Sequence, residues 1–125
     1  MAIRSLIVDD SPHFLAVARP ILEQGGIEVV GAASNPAEAL QAVEKLRPQV
    51  VLVDIDLGEH SGLELVRRLA SVDSAALILI STHSEADFKD LIAASPAIGF
   101  IPKSQLSAGA VADLLGEPAS GSPGT

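Results

Sequence analysis

Acidic side chains follow two apolar runs of the sequence, at positions where carboxylates could act together. Asp9 and Asp10 come directly after one run, and Asp54 and Asp56 lie at the end of another. Carboxylates held close together repel each other unless a cation neutralises them, and Mg²⁺ is a hard ion that prefers oxygen ligands. A carboxylate can also act as a nucleophile and form an aspartyl phosphate. These acids therefore indicate a metal-assisted phosphoryl-transfer site.

Hydroxyl and amine groups follow two further apolar runs. Ser81, Thr82 and His83 come after one run, and Lys103 comes after the segment G-F-I-P. Phosphoryl transfer needs a cation and hydrogen-bond donors around the transferred oxygens. Ser81 is the favoured hydroxyl because it directly follows the run, whereas a register shift of one residue would give the role to Thr82.

Strand and helix signals alternate along the chain, and this order would bring those groups together. Strands are predicted at residues 3–8, 27–31, 50–54, 76–80 and 98–101, with helices at 12–24, 36–46, 62–70, 84–94 and 104–115. Such βα units form a parallel sheet with helices on both faces. Ligands bind at the carboxyl ends of its strands, where all these polar groups are expected.

Composition limits the class of protein. The chain has 125 residues, is 48% hydrophobic and lacks cysteine, so one domain is expected and thiol chemistry is excluded. We assign that domain to residues 1–116 and predict that the Pro/Gly/Ser-rich residues 117–125 form a flexible tail or linker. The net charge of −8 argues against direct nucleic-acid binding. No membrane span or signal peptide is seen, and a cytoplasmic location is predicted.

The set Asp9, Asp10, Asp54, Ser81 and Lys103 resembles the receiver domain of two-component response regulators. The resemblance extends over about residues 3–115, and the order, strand-end placement and spacing of the residues all agree. The segment V-D-I-D-L-G-E-H-S-G is similar to the phosphoacceptor loop of the family, with a glycine at position 62. A departure is the glycine at position 58, where a proline is common. The resemblance implies a flavodoxin-like fold with strand order 2-1-3-4-5.

The resemblance also implies a set of roles. Asp54 would be the phosphoacceptor, assisted by Lys103 and Ser81. Asp10 and Asp54 would ligate Mg²⁺ through their side chains, Asp56 through its backbone carbonyl, and Asp9 either directly or through water. Ser81 and Phe100 would be the switch residues. Side chains that could tune the reaction flank the site: Asp56, Thr82 and His83.

A histidine kinase or phosphotransfer protein would supply the phosphoryl group, and a protein-binding surface would change in response. The resemblance implies a downstream protein target, and a phosphorylation-dependent homodimer is one form that such a response takes. Beyond catalysing its own phosphorylation and dephosphorylation, the domain would not be an enzyme.

Other interpretations of the sequence stay open. The chain could be a pseudo-receiver that binds proteins without phosphorylation. Asp54-x-Asp56 also resembles the phosphatase motif of haloacid dehalogenases, although that family carries the motif on its first strand. Phe100 could be a core residue and Lys103 a surface lysine. We expect a stand-alone receiver, but the tail could equally be a linker to another domain.

Overall fold

In the computed structural model, which describes residues 3–83 and 85–116, five parallel strands form the central sheet. The strands are β1 (Ile3–Val8), β2 (Ile27–Ala33), β3 (Val50–Asp54), β4 (Asp56–Leu57), β5 (His60–Ser61), β6 (Ala76–Ser81) and β7 (Gly99–Pro102). The sheet has the order β2-β1-β3-β6-β7, and β4 and β5 form a separate small hairpin. Counted without the hairpin, the order is 2-1-3-4-5. The predicted α/β fold and strand order are confirmed.

Five helices connect the strands. They are α1 (Pro12–Gln24), α2 (Pro36–Leu46), α3 (Gly62–Val72), α4 (Lys89–Ala93) and α5 (Ala108–Leu115), with short 3₁₀ turns at Glu85–Asp87 and Lys103–Gln105. Four helices begin after a serine or asparagine whose side-chain oxygen accepts a backbone N–H of the first turn. These caps are Ser11, Asn35, Ser61 and Ser107. Local hydrogen bonding therefore fixes where these helices begin at the sheet edge.

Alternate residues of the inner strands face opposite sides of the sheet, and each side is covered by helices. On β3, Val50 and Leu52 belong to a core cluster shared with α1 and α5, whereas Val51 and Val53 belong to a cluster shared with α2 and α3. Both faces of the strand are thus buried, as the continuous apolar run predicts.

The predicted helix at residues 84–94 is wrong in extent. Regular helix is confined to α4, and the preceding turn is a 3₁₀ helix. Phe88 has φ of −128° and ψ of 12°, which interrupts the helix before Lys89. The apolar spacing of this segment predicts that Phe88, Leu91 and Ile92 face inward. Ile92 is buried and Phe88 packs against the core, but Leu91 is 50% exposed. A short amphipathic segment does not determine its own rotation about the helix axis, so sequence spacing assigned Leu91 inward incorrectly.

Other boundaries shift more modestly. The last helix begins at Ala108 rather than 104, because Leu106 and Ser107 are extended and the Ser107 hydroxyl accepts from Ala110 N–H. Strand β2 continues to Ala33, two residues beyond its predicted end, because β1 pairs with it over that length. The predicted tail at 117–125 lies outside the described residues. Among the described helices, none has the length and apolar character needed to cross a membrane.

Candidate functional site

Strand register brings the predicted polar groups to one edge of the sheet. Val8 is paired with Val53, so Asp9, which follows β1, and Asp54, the last residue of β3, lie at the same level. On the other side of β3, Asp54 is paired with Ile80. Ser81 is in turn paired with Pro102, which immediately precedes Lys103. The carboxyl ends of β1, β3, β6 and β7 therefore form one polar rim, as the parallel topology requires.

Lys103 connects two of the acids. Its Nζ lies 2.6 Å from Oδ2 of Asp9 and donates a hydrogen bond of 2.9 Å to Oδ2 of Asp54. The lysine side chain is only 13% exposed, so this is not a solvated surface residue. Charge-assisted contacts at these distances are strong when water is largely excluded. The structure therefore places Lys103 on the rim, between Asp9 and Asp54.

The surroundings of Asp54 and Lys103 shift the pKa values of both side chains. Burial raises the pKa of Asp54, and the hydrogen bonds from Lys103 and from the Asp56 N–H offset this effect only in part. Burial acts to lower the pKa of Lys103, but the hydrogen bonds and charges of Asp9 and Asp54 outweigh burial and raise the pKa overall. The ammonium is thus held in its charged form by the carboxylates that it bridges.

Three carboxylates at the rim could hold a cation. Asp9, Asp10 and Asp54 each offer an oxygen, and these atoms lie within 4.8 Å of one another. Asp9 is fully buried; its Oδ1 accepts from Ser11 N–H at 2.8 Å, and its Oδ2 pairs with the Lys103 ammonium at 2.6 Å. One ammonium compensates only part of the charge of three clustered carboxylates, and such an all-oxygen cluster fits a hard divalent ion such as Mg²⁺.

Asp56 differs from the three clustered acids. Its N–H donates to Oδ1 of Asp54 at 3.0 Å, so its backbone orients the central carboxylate. Its own side chain is exposed and accepts from Gly58 N–H at 3.2 Å. Gly58 has φ of +71°, and a Cβ there would lie 3.3 Å from Oδ2 of Asp10. The glycine that replaces the family's usual proline thus allows a left-handed turn beside a candidate metal ligand.

Gly62 is needed for close approach of the chain. Its N–H donates to Ile55 O at 2.7 Å, and a Cβ at this position would overlap the backbone oxygen of Asp54. No larger residue fits without moving the end of β3. This glycine therefore lets α3 begin directly against the strand that carries Asp54.

Ser81 is the buried hydroxyl of the rim, and Thr82 is exposed. The Ser81 Oγ accepts from the backbone N–H of His83 at 3.0 Å and lies 3.4 Å from Nδ1 of its ring. The His83 ring packs edge-on against Phe88, with centroids 5.7 Å apart. Phe100 is 8% exposed and belongs to the core cluster on the α2–α3 side. The ring of Phe100 is therefore already packed inside in this conformation.

The sequence and the fold both match known proteins. A family model described as the response regulator receiver domain matches residues 5–111. A protein-glutamate methylesterase/protein-glutamine glutaminase of Alkalilimnicola ehrlichii is 35% identical over 106 residues, which cover 82% of this chain and 27% of the relative. A second protein of that name, from Vibrio vulnificus, is 31% identical over 89% of this chain and 32% of its own length. The chain thus spans about a third or less of these curated relatives.

Solved structures of receiver domains have the same fold as this chain. The response regulator domain of Thermotoga maritima CheB has a TM-score of 0.74 at 26% identity, covering 93% of this chain and 90% of that one. The signal receiver domain of a modulated diguanylate cyclase from Desulfovibrio desulfuricans has a TM-score of 0.78 at 28% identity, covering 93% and 92%. With the family match spanning the sheet and the acidic rim, the chain belongs to the response regulator receiver domain family.

Proposed function

We propose that this receiver domain is phosphorylated on Asp54 in a Mg²⁺-dependent reaction. The observation that carries the proposal is the position of Lys103 Nζ, which bridges Asp9 and Asp54 in a cluster that also contains Asp10. Such a cluster combines a nucleophilic carboxylate, a fixed cation and oxygen ligands for a metal. Simple strand-end solvation by acids would not require a buried lysine among them.

The chemical step is transfer of a phosphoryl group to a carboxylate oxygen of Asp54. A bond forms between that oxygen and phosphorus, while the bond from phosphorus to the imidazole nitrogen of the donor breaks and its electron pair stays on the imidazole. Lys103 would stabilise the charge on the phosphoryl oxygens, since its Nζ is already 2.9 Å from Oδ2 of Asp54. A histidine kinase or a phosphotransfer protein is the donor that fits this chemistry.

Mg²⁺ would be held by the side chains of Asp9, Asp10 and Asp54, together with the backbone carbonyl of Asp56. When bound, the ion would neutralise carboxylate repulsion and compensate charge on the phosphoryl group. The clustering of oxygens from Asp9, Asp10 and Asp54 supports this assignment, because the single ammonium of Lys103 cannot compensate three carboxylates.

Ser81 and Phe100 would carry the response to a protein-binding surface. Ser81 is buried at the rim, and Phe100 lies on the neighbouring strand, where Leu79 of β6 is its register partner. Phosphorylation would favour one of two conformations because the phosphate contacts one of them better. The output would be a protein target or a homodimer, and the domain would catalyse only its own modification.

The test is Mg²⁺-dependent binding of beryllofluoride, a phosphoryl mimic, to the wild type and to Asp54→Ala, followed by NMR. We expect chemical-shift changes at Ser81, Phe100 and α5 in the wild type and none in Asp54→Ala. The matched control is Asp73→Ala, which removes a carboxylate near the opposite edge of the sheet, at the end of α3. That variant should respond as the wild type does.

Two results would contradict the proposal. Mg²⁺ binding without any response to the mimic would favour a phosphorylation-independent binding module. An equal response in Asp54→Ala would place the acceptor on another residue.

A further inference from the structure

The aromatic ring of Phe14 lies against the lysine of the site. Lys103 Nζ is 4.3 Å from the centroid of the Phe14 ring and lies over its face. Phe14 is in the first turn of α1, and its N–H donates to the Ser11 capping hydroxyl at 3.2 Å. Ser11 N–H in turn donates to Oδ1 of Asp9. The same cap that orients one of the acids therefore also places the ring.

The ammonium is enclosed by three groups. Asp9 and Asp54 each present an oxygen within 3 Å, and the Phe14 face forms another wall. Both Phe14 and Lys103 are partly buried. A cation over an aromatic face is attracted by the ring quadrupole, and the attraction is larger where water is excluded. The ring therefore contributes to holding the ammonium, in addition to its apolar packing.

A neutral side chain at the position of Phe14 suits the contact with Lys103 better than an acidic one would. The cluster already holds three carboxylates against one ammonium. A further acid would bind Lys103 more tightly to protein oxygens and would increase the negative charge that an incoming phosphoryl group meets. An aromatic face attracts the cation without adding net charge. The positive charge of Lys103 thus remains available to phosphoryl oxygens.

We infer that Phe14 is a positioning residue for Lys103, and that it increases the affinity of the site for a phosphoryl group through a cation–π contact. This inference rests on the proposed function of Asp54. It goes further by assigning to a residue of α1 a role in phosphoryl recognition.

The first test compares variants at this position for Mg²⁺-dependent beryllofluoride affinity. Phe14→Leu and Phe14→Met keep an apolar side chain but remove the π face, and each should weaken binding about threefold to tenfold. Phe14→Tyr keeps the face and should stay within about twofold of the wild type. Equal affinity in all four proteins would overturn the inference.

A second comparison separates positioning from general packing. Mg²⁺ affinity, measured without the mimic, should change less than mimic affinity in Phe14→Leu, because the ring contacts the ammonium that binds phosphoryl oxygens. The control is Leu15→Val, which loosens packing of the same helix turn against the core. If Phe14→Leu and Leu15→Val weaken Mg²⁺ and mimic binding equally, Phe14 has only a structural role and the inference is wrong.

NMR keeps the inference testable if the proposed function fails. The side-chain protons of Lys103 near Nζ should be shifted upfield by the Phe14 ring current in the wild type and in Phe14→Tyr, and not in Phe14→Leu. A wild type that does not bind the mimic would contradict the proposed function alone. Absence of the ring-current shift would contradict the Phe14 contact itself.

Discussion

Lys103 donates to Asp54 across 2.9 Å, although the two residues are 49 positions apart in the chain. The contact joins the ends of two strands that are not neighbours, because β6 lies between β3 and β7. The long lysine side chain crosses that strand to reach the acid. The same ammonium also pairs with Oδ2 of Asp9 at 2.6 Å, so one cation compensates two carboxylates.

Mg²⁺ should stabilise the fold through the acidic cluster. At a free concentration about 100 times its dissociation constant, the ion should raise the free energy of unfolding by about 2.7 kcal/mol. Asp10→Asn should lower this gain, and a tenfold weaker site would give about 1.4 kcal/mol at the same concentration. Thermal unfolding with and without Mg²⁺ measures the effect. Glu44→Gln, which removes one exposed acid from α2, is the control and should keep the full gain.

Gly58→Ala should affect both stability and metal binding. The left-handed backbone at φ of +71° costs a residue with a Cβ about 1–2 kcal/mol, and the new Cβ would press on Oδ2 of Asp10. We expect a lower unfolding midpoint and weaker Mg²⁺ binding, measured by denaturation and calorimetry. Gly26→Ala is the matched control, because Gly26 has φ of +92° and open space for a Cβ. It should lose stability and keep its Mg²⁺ affinity; equal Mg²⁺ affinity in both variants would refute the prediction.

Gly62→Ala should be strongly destabilising. Its Cβ would overlap the backbone oxygen of Asp54, so α3 or the end of β3 must move, at a cost of about 2–3 kcal/mol. Urea denaturation of the variant measures the loss. For comparison, Gly109→Ala places a Cβ no closer than 3.9 Å to the Ser107 hydroxyl in α5 and should stabilise the helix by about 0.5–1 kcal/mol. Equal stability of the two variants would show that β3 and α3 are not in close contact.

Glu38 should contribute stability that depends on pH. Hydrogen bonds from the backbone N–H and hydroxyl of Ser34 lower the pKa of Glu38 below its ordinary value of 4.5. A lowered pKa in the folded state means that the unfolded chain binds more protons at acidic pH. The stabilisation is therefore present above pH 4.5 and is lost as the pH falls below it.

Glu38→Gln tests this pH dependence because glutamine resembles the protonated acid. The variant should be less stable than the wild type at pH 7, and the difference should disappear at low pH. Thermal unfolding across the acid range checks this, with Glu44→Gln on the same helix as the control. A difference that stays constant with pH would mean that the charge of Glu38 does not contribute.

Much of the fold could be predicted because its signals are local. The caps Ser11, Asn35 and Ser61 lie where serine or asparagine precedes an apolar periodic segment, and all three accept a backbone N–H of the first helical turn. The strand-end placement of Asp54 and Lys103 likewise follows from where apolar runs stop. The inward orientation predicted for Leu91 is wrong, since a helix of five residues takes its orientation from its neighbours.

The β4–β5 hairpin had no clear signal either. Its strands have two residues each and form only because Asp56 pairs with Ser61 and Leu57 with His60. Nothing in their composition distinguishes them from an ordinary loop. The glycine at position 58 is the sequence feature that indicates a tight turn, and its φ of +71° in the structure agrees with that.

Local sequence is enough to predict which strands end in acids, which hydroxyl and lysine follow later strands, and where helices begin, because each depends on neighbours within a few positions. The bridge from Lys103 to Asp9 and Asp54, and the position of the Phe14 ring against its ammonium, arise only in the folded chain. In the sequence Phe14 is one more apolar residue at helical spacing. Its relation to Lys103 arises because the lysine side chain extends from the end of β7 to the acids near the start of α1, a contact between distant segments that no local pattern encodes.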